Sequence, residues 1–395
     1  MASLFGFNIT RNNTPVTSLN DATEKKEAYQ AFSTPFLNVG NGNLALPSIN
    51  TNYLGVGGYV RFGESNLYPQ LINQMKYTSP LNGSILKFKL NSVIGGGYTI
   101  ETLSDNGIEK VKVYTFEKKN KINKLYKKLS GDWINHERMS VLLHFDSKME
   151  LQRIERLDPA TVRRNESGTL FSVCKDWYSQ IGIIQYKAYH PTCKDRVQLF
   201  EYTEDDDNIY PIPTYCSAFN WCQLDGESSY LQKQNIRNSI YPSFALLLPQ
   251  MPGSDEEKNA ITTAVDRAKG AQEAGKVMIL AAPNKDKLPD IKAIPTNQND
   301  KLFESTDRRI DDKICQAHTI APVLMGIQTP GKLGAGQDIK TSYQIFEKNM
   351  VMPTRNTIEE FINELFFIGG VQATFKFNNF QIIGGEITEV TETKI

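Results

Sequence analysis

A small strand–helix–strand unit in the second half of the chain constrains the fold more than any other segment. Phe244–Leu248 is typical of a strand, Ser254-Asp-Glu-Glu257 is a capping box that begins a helix, and Val277–Ala281 is typical of a second strand. About 40 residues cannot bury enough apolar surface to be stable alone. The unit is therefore stabilised by its neighbours, either elsewhere in the chain or in other copies of the chain.

A highly charged helix is predicted after this unit, at residues 298–320. Its apolar stripe is thin and consists of Phe303, Ile310, Ile314 and Ala317. Such a helix suits packing between subunits, and an ordinary exposed surface helix explains the pattern equally well. If subunits pack there, the charged residues at the contact are Arg308, Arg309, Asp311 and Asp312.

The overall charge argues against one class of function. The 395 residues include 44 Lys and Arg and 44 Asp and Glu, so the formal net charge is zero. Affinity for nucleic acid comes from many cations that displace counterions, so we do not expect a protein that binds nucleic acid over its whole surface.

Hydrophobic residues make up 40%, which is enough for a core, and the length suggests about two or three domains. No apolar run approaches the roughly 18 residues of a membrane helix, and we expect no signal peptide.

Few residues suggest catalysis or metal binding. One His and three Cys would form a ligand set that zinc accepts, although their spacing is irregular: His190, Cys193, Cys216 and Cys222. Free reduced thiols are the favoured interpretation. The glycines of 331–336 suggest a phosphate loop only superficially, because Gln337 and Asp338 stand where that motif requires Lys and Ser or Thr. His318 is predicted to form a structural hydrogen bond, and no catalytic residue, metal ligand or cofactor is assigned.

The N-terminal half divides by composition and periodicity. Residues 1–63 are rich in Asn, Thr, Ser, Gly and Pro, which predicts an extended arm or a floppy tail. A helix capped by Asn66 is interrupted near Pro80, and a helical stretch follows at 115–143. Alternation with period two then predicts a β-rich segment at 141–222.

Six lysines lie between positions 118 and 128, within the predicted helical stretch. One interpretation is a basic patch for phosphates or for an acidic partner. The favoured interpretation is a solvated helix face, because charge runs are common on amphipathic helices.

The C-terminal part is predicted to begin with a long helix at about 337–367. Its apolar face passes Pro353, which should kink it. A strand at Ala373–Ile383 and a polar tail follow.

Several segments, in one order along the chain, form a family resemblance. They are Asn66-Leu-Tyr-Pro-Gln70, Asn91-Ser-Val-Ile-Gly-Gly-Gly97, Leu151–Val162, the strand–helix–strand unit that ends in Ala274–Leu280, Ala317-His318, Pro322–Gly326 and the Gly-rich segment 328–338. Together they resemble a portal protein of tailed double-stranded DNA bacteriophages, over residues 66 to about 366. The order of the segments is the stronger argument, since none is diagnostic alone.

The resemblance implies an α+β, portal-like fold with a wing, paired stem helices, a small α/β clip, a tunnel loop and a kinked long helix, and with a crown that is absent or minimal. The parts would be an N-terminal arm at 1–63, the wing at 64–225, the first stem helix at 226–242, the clip at 243–297, the second stem helix at 298–320, the turn, tunnel loop and kinked helix at 321–367, and a C-terminal strand and tail at 368–395. The tunnel loop would present Thr329, Gly331, Lys332, Leu333, Gly334, Gly336 and Gln337 to DNA. The docking surface of the clip would be Ser254, Asp255, Glu256 and Lys258.

The function that the resemblance implies is structural and non-enzymatic. Twelve copies would form a ring at one capsid vertex of a virion, assembled in the host cytoplasm, as the channel for genome packaging and ejection. The implied partners are the terminase large subunit, a head–tail adaptor, the major capsid protein and the double-stranded DNA that passes through the channel, with no membrane. Two alternatives stay open: another virion ring or head–tail connector protein, and a metal-dependent soluble enzyme that uses the His and Cys residues named above.

Overall fold

A computed structural model describes residues 58–103, 107–204, 208–238, 245–247, 254–256, 259, 263, 290–292, 299–327, 336–378, 380–383 and 386–389. These residues form a mixed fold of helices and antiparallel sheets, as predicted. The longer helices are α1 (Tyr68–Thr78), α2 (Pro80–Ile94), α3 (Gly107–Asn120), α4 (Ile122–His136), α5 (Phe219–Asn238), α6 (Asn299–Ala317), α7 (Gly336–Phe346) and α8 (Met352–Ile368). The strands are β1 (Tyr98–Thr102), β2 (Met139–Phe145), β3 (Leu151–Leu157), β4 (Val162–Arg164), β5 (Leu170–Val173), β6 (Ile184–Lys187), β7 (Val197–Tyr202), β8 (Ala245–Leu247), β9 (Asp290–Lys292), β10 (Ala373–Phe377), β11 (Phe380–Ile383) and β12 (Glu386–Glu389).

The predicted interruption near Pro80 separates α1 from α2. Ser79 caps α2, because its side chain accepts a hydrogen bond from the Asn82 amide at 3.2 Å, and Pro80 occupies the first turn. Asn66 does not cap α1, contrary to the prediction. Its backbone is left-handed, with φ of 60°, and its Oδ1 accepts from the Phe62 amide at 3.0 Å instead.

The helical stretch predicted at 115–143 is two helices and the start of a strand. Helix α3 ends before Lys121, whose φ of 51° is left-handed, and α4 begins immediately after it. Helix α4 ends at Glu137, which is also left-handed, and β2 follows from Met139. The two left-handed residues turn the chain where the apolar periodicity alone continues.

Strand β2 is the centre of a three-stranded antiparallel sheet in the order β3-β2-β7. A second sheet, in the order β4-β5-β6, packs close by, and the two share a core of Leu142, Val162, Phe171 and Leu199. Residues Met139–Leu143 are all buried, because both faces of a central strand are covered here. The β-rich segment predicted at 141–222 is confirmed for 139–202.

The C-terminal helix is broken, but the break lies one turn before the proline. Helices α7 and α8 are joined by a π-helical turn at Glu347–Val351. Pro353 has no amide hydrogen, and its ring clashes with the carbonyl of the residue four positions earlier, Asn349, which lies in that turn. The strand predicted at 373–383 is two strands, of which β10 pairs with β1 and β11 pairs with β12.

The strand–helix–strand unit differs in its pairing from the sequence prediction. Strand β8 lies inside the predicted strand at 244–248, and it pairs antiparallel with β9, which the sequence did not indicate. The predicted second strand at 277–281 lies outside the described residues, as do residues 1–57 of the predicted arm.

Candidate functional site

Helices α5 and α6, which occupy the segments predicted as stem helices, form a pair, and their role as a stem stays a prediction. Helix α5 begins at Phe219, earlier than the predicted start at 226, and α6 begins at Asn299. Asp307 on α6 accepts hydrogen bonds from Ser228 Oγ at 2.9 Å and from Gln232 Nε2 at 3.1 Å, both on α5. Polar side chains therefore hold the two helices together in the middle of the pair.

The apolar stripe of α6 packs within its own chain. Ile310 and Ile314 are 1% and 0% exposed, so they are already buried in a single copy. Of the charged residues predicted at a subunit contact, Arg308 bonds to Glu304 one turn earlier at 3.1 Å. Arg309 and Asp312 are exposed and Asp311 is half-buried. Their place between subunits stays a prediction.

One end of the α5–α6 pair carries several carboxylates and contacts α2. Ser79 Oγ, at the start of α2, donates to Asp225 Oδ2 on α5 at 2.6 Å. Burial raises the pKa of Asp311, and the neighbouring carboxylates of Asp225 and Asp307 raise it further. Asp311 thus faces Asp225 while Asp307 contacts residues further along α5, so the two helices run antiparallel.

His318 closes the turn after α6. Its Nε2 lies 2.8 Å from Asn82 Oδ1 on α2, and its ring stacks on Tyr215 with centroids 4.7 Å apart. Burial lowers the pKa of His318 well below its usual value, so the imidazole is neutral at pH 7. The predicted structural hydrogen bond is confirmed. Gly326 ends the following 3₁₀ turn with a φ of 77°, a conformation that glycine adopts without strain.

Arg355 connects the broken helix to α2. It lies in α8 directly after the π turn and is 4% exposed. Its guanidinium donates to the carbonyls of Val93 at 2.9 Å and of Ser92 at 3.0 Å. These carbonyls belong to the last turn of α2, where a helix has no intrahelical partners and favours positive charge. Arg355 therefore caps α2 and fixes α8 against it.

The predicted tunnel loop and clip surface lie mostly outside the described residues. Thr329, Gly331, Lys332, Leu333, Gly334 and Lys258 are outside them. Gly336 and Gln337 are described and form the first turn of α7, so the predicted loop is shorter than expected at its end. Ser254, Asp255 and Glu256 are exposed, as a docking surface requires.

A cleft of about 590 Å³ lies where α2, the end of α4 and the π turn meet. Burial lowers the pKa of Lys89 in this cleft to about 8. Burial also raises the pKa of Glu137, although Thr214 donates to its carboxylate from the amide at 3.0 Å and from Oγ1 at 2.9 Å. The second carboxylate, that of Glu204, accepts from Thr357 Oγ1 at 2.6 Å. Threonine side chains donate hydrogen bonds to both carboxylates, so these polar groups join segments of the chain that meet at the cleft.

The four residues weighed as zinc ligands do not form one site. Cys216 and Cys222 are buried, and burial raises the pKa of both thiols, that of Cys222 to about 12. His190 is on the surface, where its ring bonds to Thr192 Oγ1 at 2.8 Å. Within the part of the chain that the structure describes, no three His, Cys, Asp or Glu side chains are grouped so as to hold a metal ion. No described helix is long and apolar enough to cross a membrane.

Three buried arginines were missed from the sequence. Arg138 is 2% exposed and donates to the carbonyl of Val162 at 3.3 Å. Arg163 is fully buried and donates to Asn66 Oδ1 at 2.7 Å, with its guanidinium 4.7 Å from the centre of the Trp177 ring. Arg355 is the third. It stands three residues before Ile358 on the apolar face of α8, so its helical spacing was a signal that it is buried.

Comparison with known proteins identifies the fold. No protein-family model matches the sequence, and no curated protein matches it. Among solved structures, a chain in the neck of an empty gene transfer agent particle matches with a TM-score of 0.52 and 14% identity, over 76% of this chain and 81% of that one. A chain in the neck of the native particle, computed with C12 symmetry, matches with a TM-score of 0.50 and 15% identity, over 78% and 84%.

A weaker match is the crystal structure of an HK97-family phage portal protein from Corynebacterium diphtheriae, with a TM-score of 0.42 and 10% identity over 77% of this chain and 93% of that one. It is too distant to support an argument by itself. At 14% and 15% sequence identity, the two neck structures establish the fold of this chain and no more. The portal-like resemblance predicted from the sequence is thereby confirmed at the level of the fold, which this chain shares over three quarters of its length with a protein in the neck of a gene transfer agent particle.

Proposed function

We propose that the chain is a portal protein, which forms a ring at one capsid vertex and acts as the channel for genome packaging and ejection. The fold that it shares with a protein in the neck of a gene transfer agent particle is the observation that supports this most directly. The paired helices α5 and α6, followed by a turn and a broken helix, supply the parts that such a channel needs. The proposed place of the protein is the virion, after assembly in the host cytoplasm.

A closed ring needs complementary faces on one chain. Helix α6 offers both signs of charge near one another, because Arg309 and Asp312 are exposed three residues apart. Neither forms an ion pair with another described residue. In the proposed ring, these side chains face the neighbouring copy. Twelve copies agree with the C12 symmetry of the neck that contains the similar chain.

The proposed channel does not bind DNA tightly. The net charge of the chain is zero, and a surface with few unpaired cations lets a duplex slide. The tunnel loop, from Thr329 to the start of α7 at Gly336, would line the constriction, and its glycines suit a segment that changes conformation as DNA passes. The joint at Glu347–Val351 would let α7 move while Arg355 keeps α8 fixed to α2.

The clip would be the docking site for other proteins of the packaging and tail machinery. Its exposed Asp255 and Glu256 would contact the terminase large subunit during packaging and a head–tail adaptor afterwards. Reversal of both charges to Lys should weaken this docking without loss of the ring. The wing would contact the major capsid protein.

The native mass of the purified chain, together with negative-stain images of the same sample, tests the ring. Twelve copies of a 44.6 kDa chain make a particle of about 535 kDa with a central hole. The proposal is contradicted if the chain stays monomeric at every protein concentration tested, and also when capsid protein is present.

A charge variant tests which helix forms the contact between copies. Arg309→Asp on α6 should shift the ring toward smaller species, most strongly at low salt, because screening weakens exposed ion pairs. Lys194→Asp makes the same charge change at an exposed position of the wing and is the matched control. Equal ring formation by both variants would remove α6 from the proposed interface.

A further inference from the structure

Six exposed lysines lie close together in the sequence at the junction of α3 and α4. This group, here called the lysine face, consists of Lys118, Lys119, Lys121, Lys124, Lys127 and Lys128. It is unusual in a chain whose net charge is zero. The lysine face lies in the wing, on helices that the proposed stem, clip and tunnel loop do not include.

The charge of the lysine face is not neutralised within the described residues. None of the six lysines forms an ion pair there, and the Nζ of Lys119 bonds only to the neutral amide oxygen of Gln152, at 2.6 Å. The one carboxylate on α4, that of Asp132, is buried and bonds to Arg156, from Nε to Oδ2 at 2.7 Å. The nearby carboxylate of Glu117 accepts from Tyr98 at 2.6 Å. The positive charge is therefore available to an external anion.

The lysine face is mounted on a fixed helix. The opposite side of α4 is anchored in the core by Ile122, Leu129 and Trp133, which are 0%, 0% and 7% exposed. Lys124 and Lys128 are four residues apart in α4 and so share one side of the helix, about 6 Å apart along the axis at about 1.5 Å of rise per residue. Lys121 lies immediately before the helix, in the left-handed turn that separates it from α3. The cations therefore extend from this turn along α4, where an extended anion could follow them.

The composition of the lysine face favours phosphates over a protein surface. Between Lys121 and Lys128 the only other exposed side chain is that of Asn123, so this part of the lysine face has no aromatic or aliphatic anchor. The exposed ring of Tyr114 lies beside Lys118 at the other end, 5.4 Å from Nζ to the ring centre. Protein interfaces are depleted in Lys at their centres and depend on such anchors. Phosphate backbones are bound by flexible cations without any apolar contact.

We propose that the lysine face binds the phosphate backbone of double-stranded DNA, without sequence preference and outside the channel. Six contacts predict that the logarithm of the binding constant falls with the logarithm of salt concentration with a slope of about −5. Removal of three contacts should reduce the slope to about −3 and weaken binding at least tenfold near physiological salt.

Fluorescence anisotropy of a labelled duplex of about 30 base pairs, titrated with the full-length chain between about 50 and 200 mM salt, measures this. The test variant is K121Q/K124Q/K128Q. The matched control is K87Q/K175Q/K194Q, which removes the same charge from exposed lysines outside the lysine face. The proposal expects a weaker, less salt-dependent test variant and an unchanged control.

Two results would overturn the proposal. Equal loss in the test and control variants would show that only net charge matters. Equal competition by poly-glutamate and by unlabelled duplex, at the same charge concentration, would assign the lysine face to an acidic protein partner. The thermal melt and native mass of each variant show whether the fold and the ring are intact, so failure of this proposal is distinguishable from failure of the proposed ring.

Discussion

Replacement of Arg355 by Met tests whether this side chain fastens the broken helix to α2. Methionine keeps an apolar stem in the buried position but removes the guanidinium, so the carbonyls of Ser92 and Val93 at the end of α2 lose their donor. Each hydrogen bond from a charged group contributes about 1.5–3 kcal/mol to stability. Two such bonds amount to about 3–6 kcal/mol, and part of this loss is offset because the variant no longer buries a charge. We expect a net loss of about 3 kcal/mol in the free energy of unfolding.

The measurement is the thermal melt of the purified chain, followed by circular dichroism at one heating rate. For 395 residues, a loss of about 3 kcal/mol should lower the melting temperature by about 4 °C. Arg355→Lys keeps the charge but not the fork of donors, so an intermediate decrease is expected. Arg196→Met removes an exposed guanidinium away from these contacts and should change stability by less than about 0.5 kcal/mol. The reasoning is refuted if Arg355→Met melts within about 1 °C of the unaltered chain.

Two further changes test other contacts. The pKa of the buried His318 is lowered, whereas the same residue in the unfolded chain titrates near 6.5. The free energy of unfolding should therefore fall as the pH drops below about 6.5, and this residue contributes up to about 1.4 kcal/mol per pH unit. His318→Gln, which can still bond to Asn82, should flatten that part of the dependence of urea midpoint on pH, and an unchanged slope in the variant would contradict the burial of a neutral imidazole. In Gly83→Ala the new Cβ would stand 2.4 Å from the backbone oxygen of Lys76, so α1 and α2 must separate, and we expect a loss of about 1–3 kcal/mol in the same urea titration. Gly107→Ala has no atom within 4 Å of its Cβ and should be neutral, so equal destabilisation of both variants would show that the close contact is not the cause.

Local signals predicted most of the described elements. The interruption at Pro80 and the strand at β2 were predicted because proline chemistry and alternation act over a few residues. The charged helix at 298–320 was predicted nearly to its ends, as α6. The run at 115–143 was mispredicted because the left-handed residues that divide it, Lys121 and Glu137, have no local signal that is typical of such a turn.

The candidate site was less predictable because its contacts are distant in the sequence. The bond between His318 and Asn82 joins residues 236 positions apart, and that between Arg355 and Val93 joins residues 262 positions apart. The same limit applies to Ile310 and Ile314. Their thin stripe suggested packing between subunits, but α5 and the preceding turn already bury it within one chain.

The kind and order of most elements, the lysine run and the zero net charge can be read from the sequence alone. Helix caps, prolines and apolar periodicity act on neighbouring residues, so they are visible in one dimension. Which polar groups meet depends on the packing: Arg355 caps α2, Asp307 joins α5 and α6, and the carboxylate of Asp132 on α4 bonds to Arg156. A buried charge is stable only where a specific partner compensates its loss of water, and that partner is set by the three-dimensional packing.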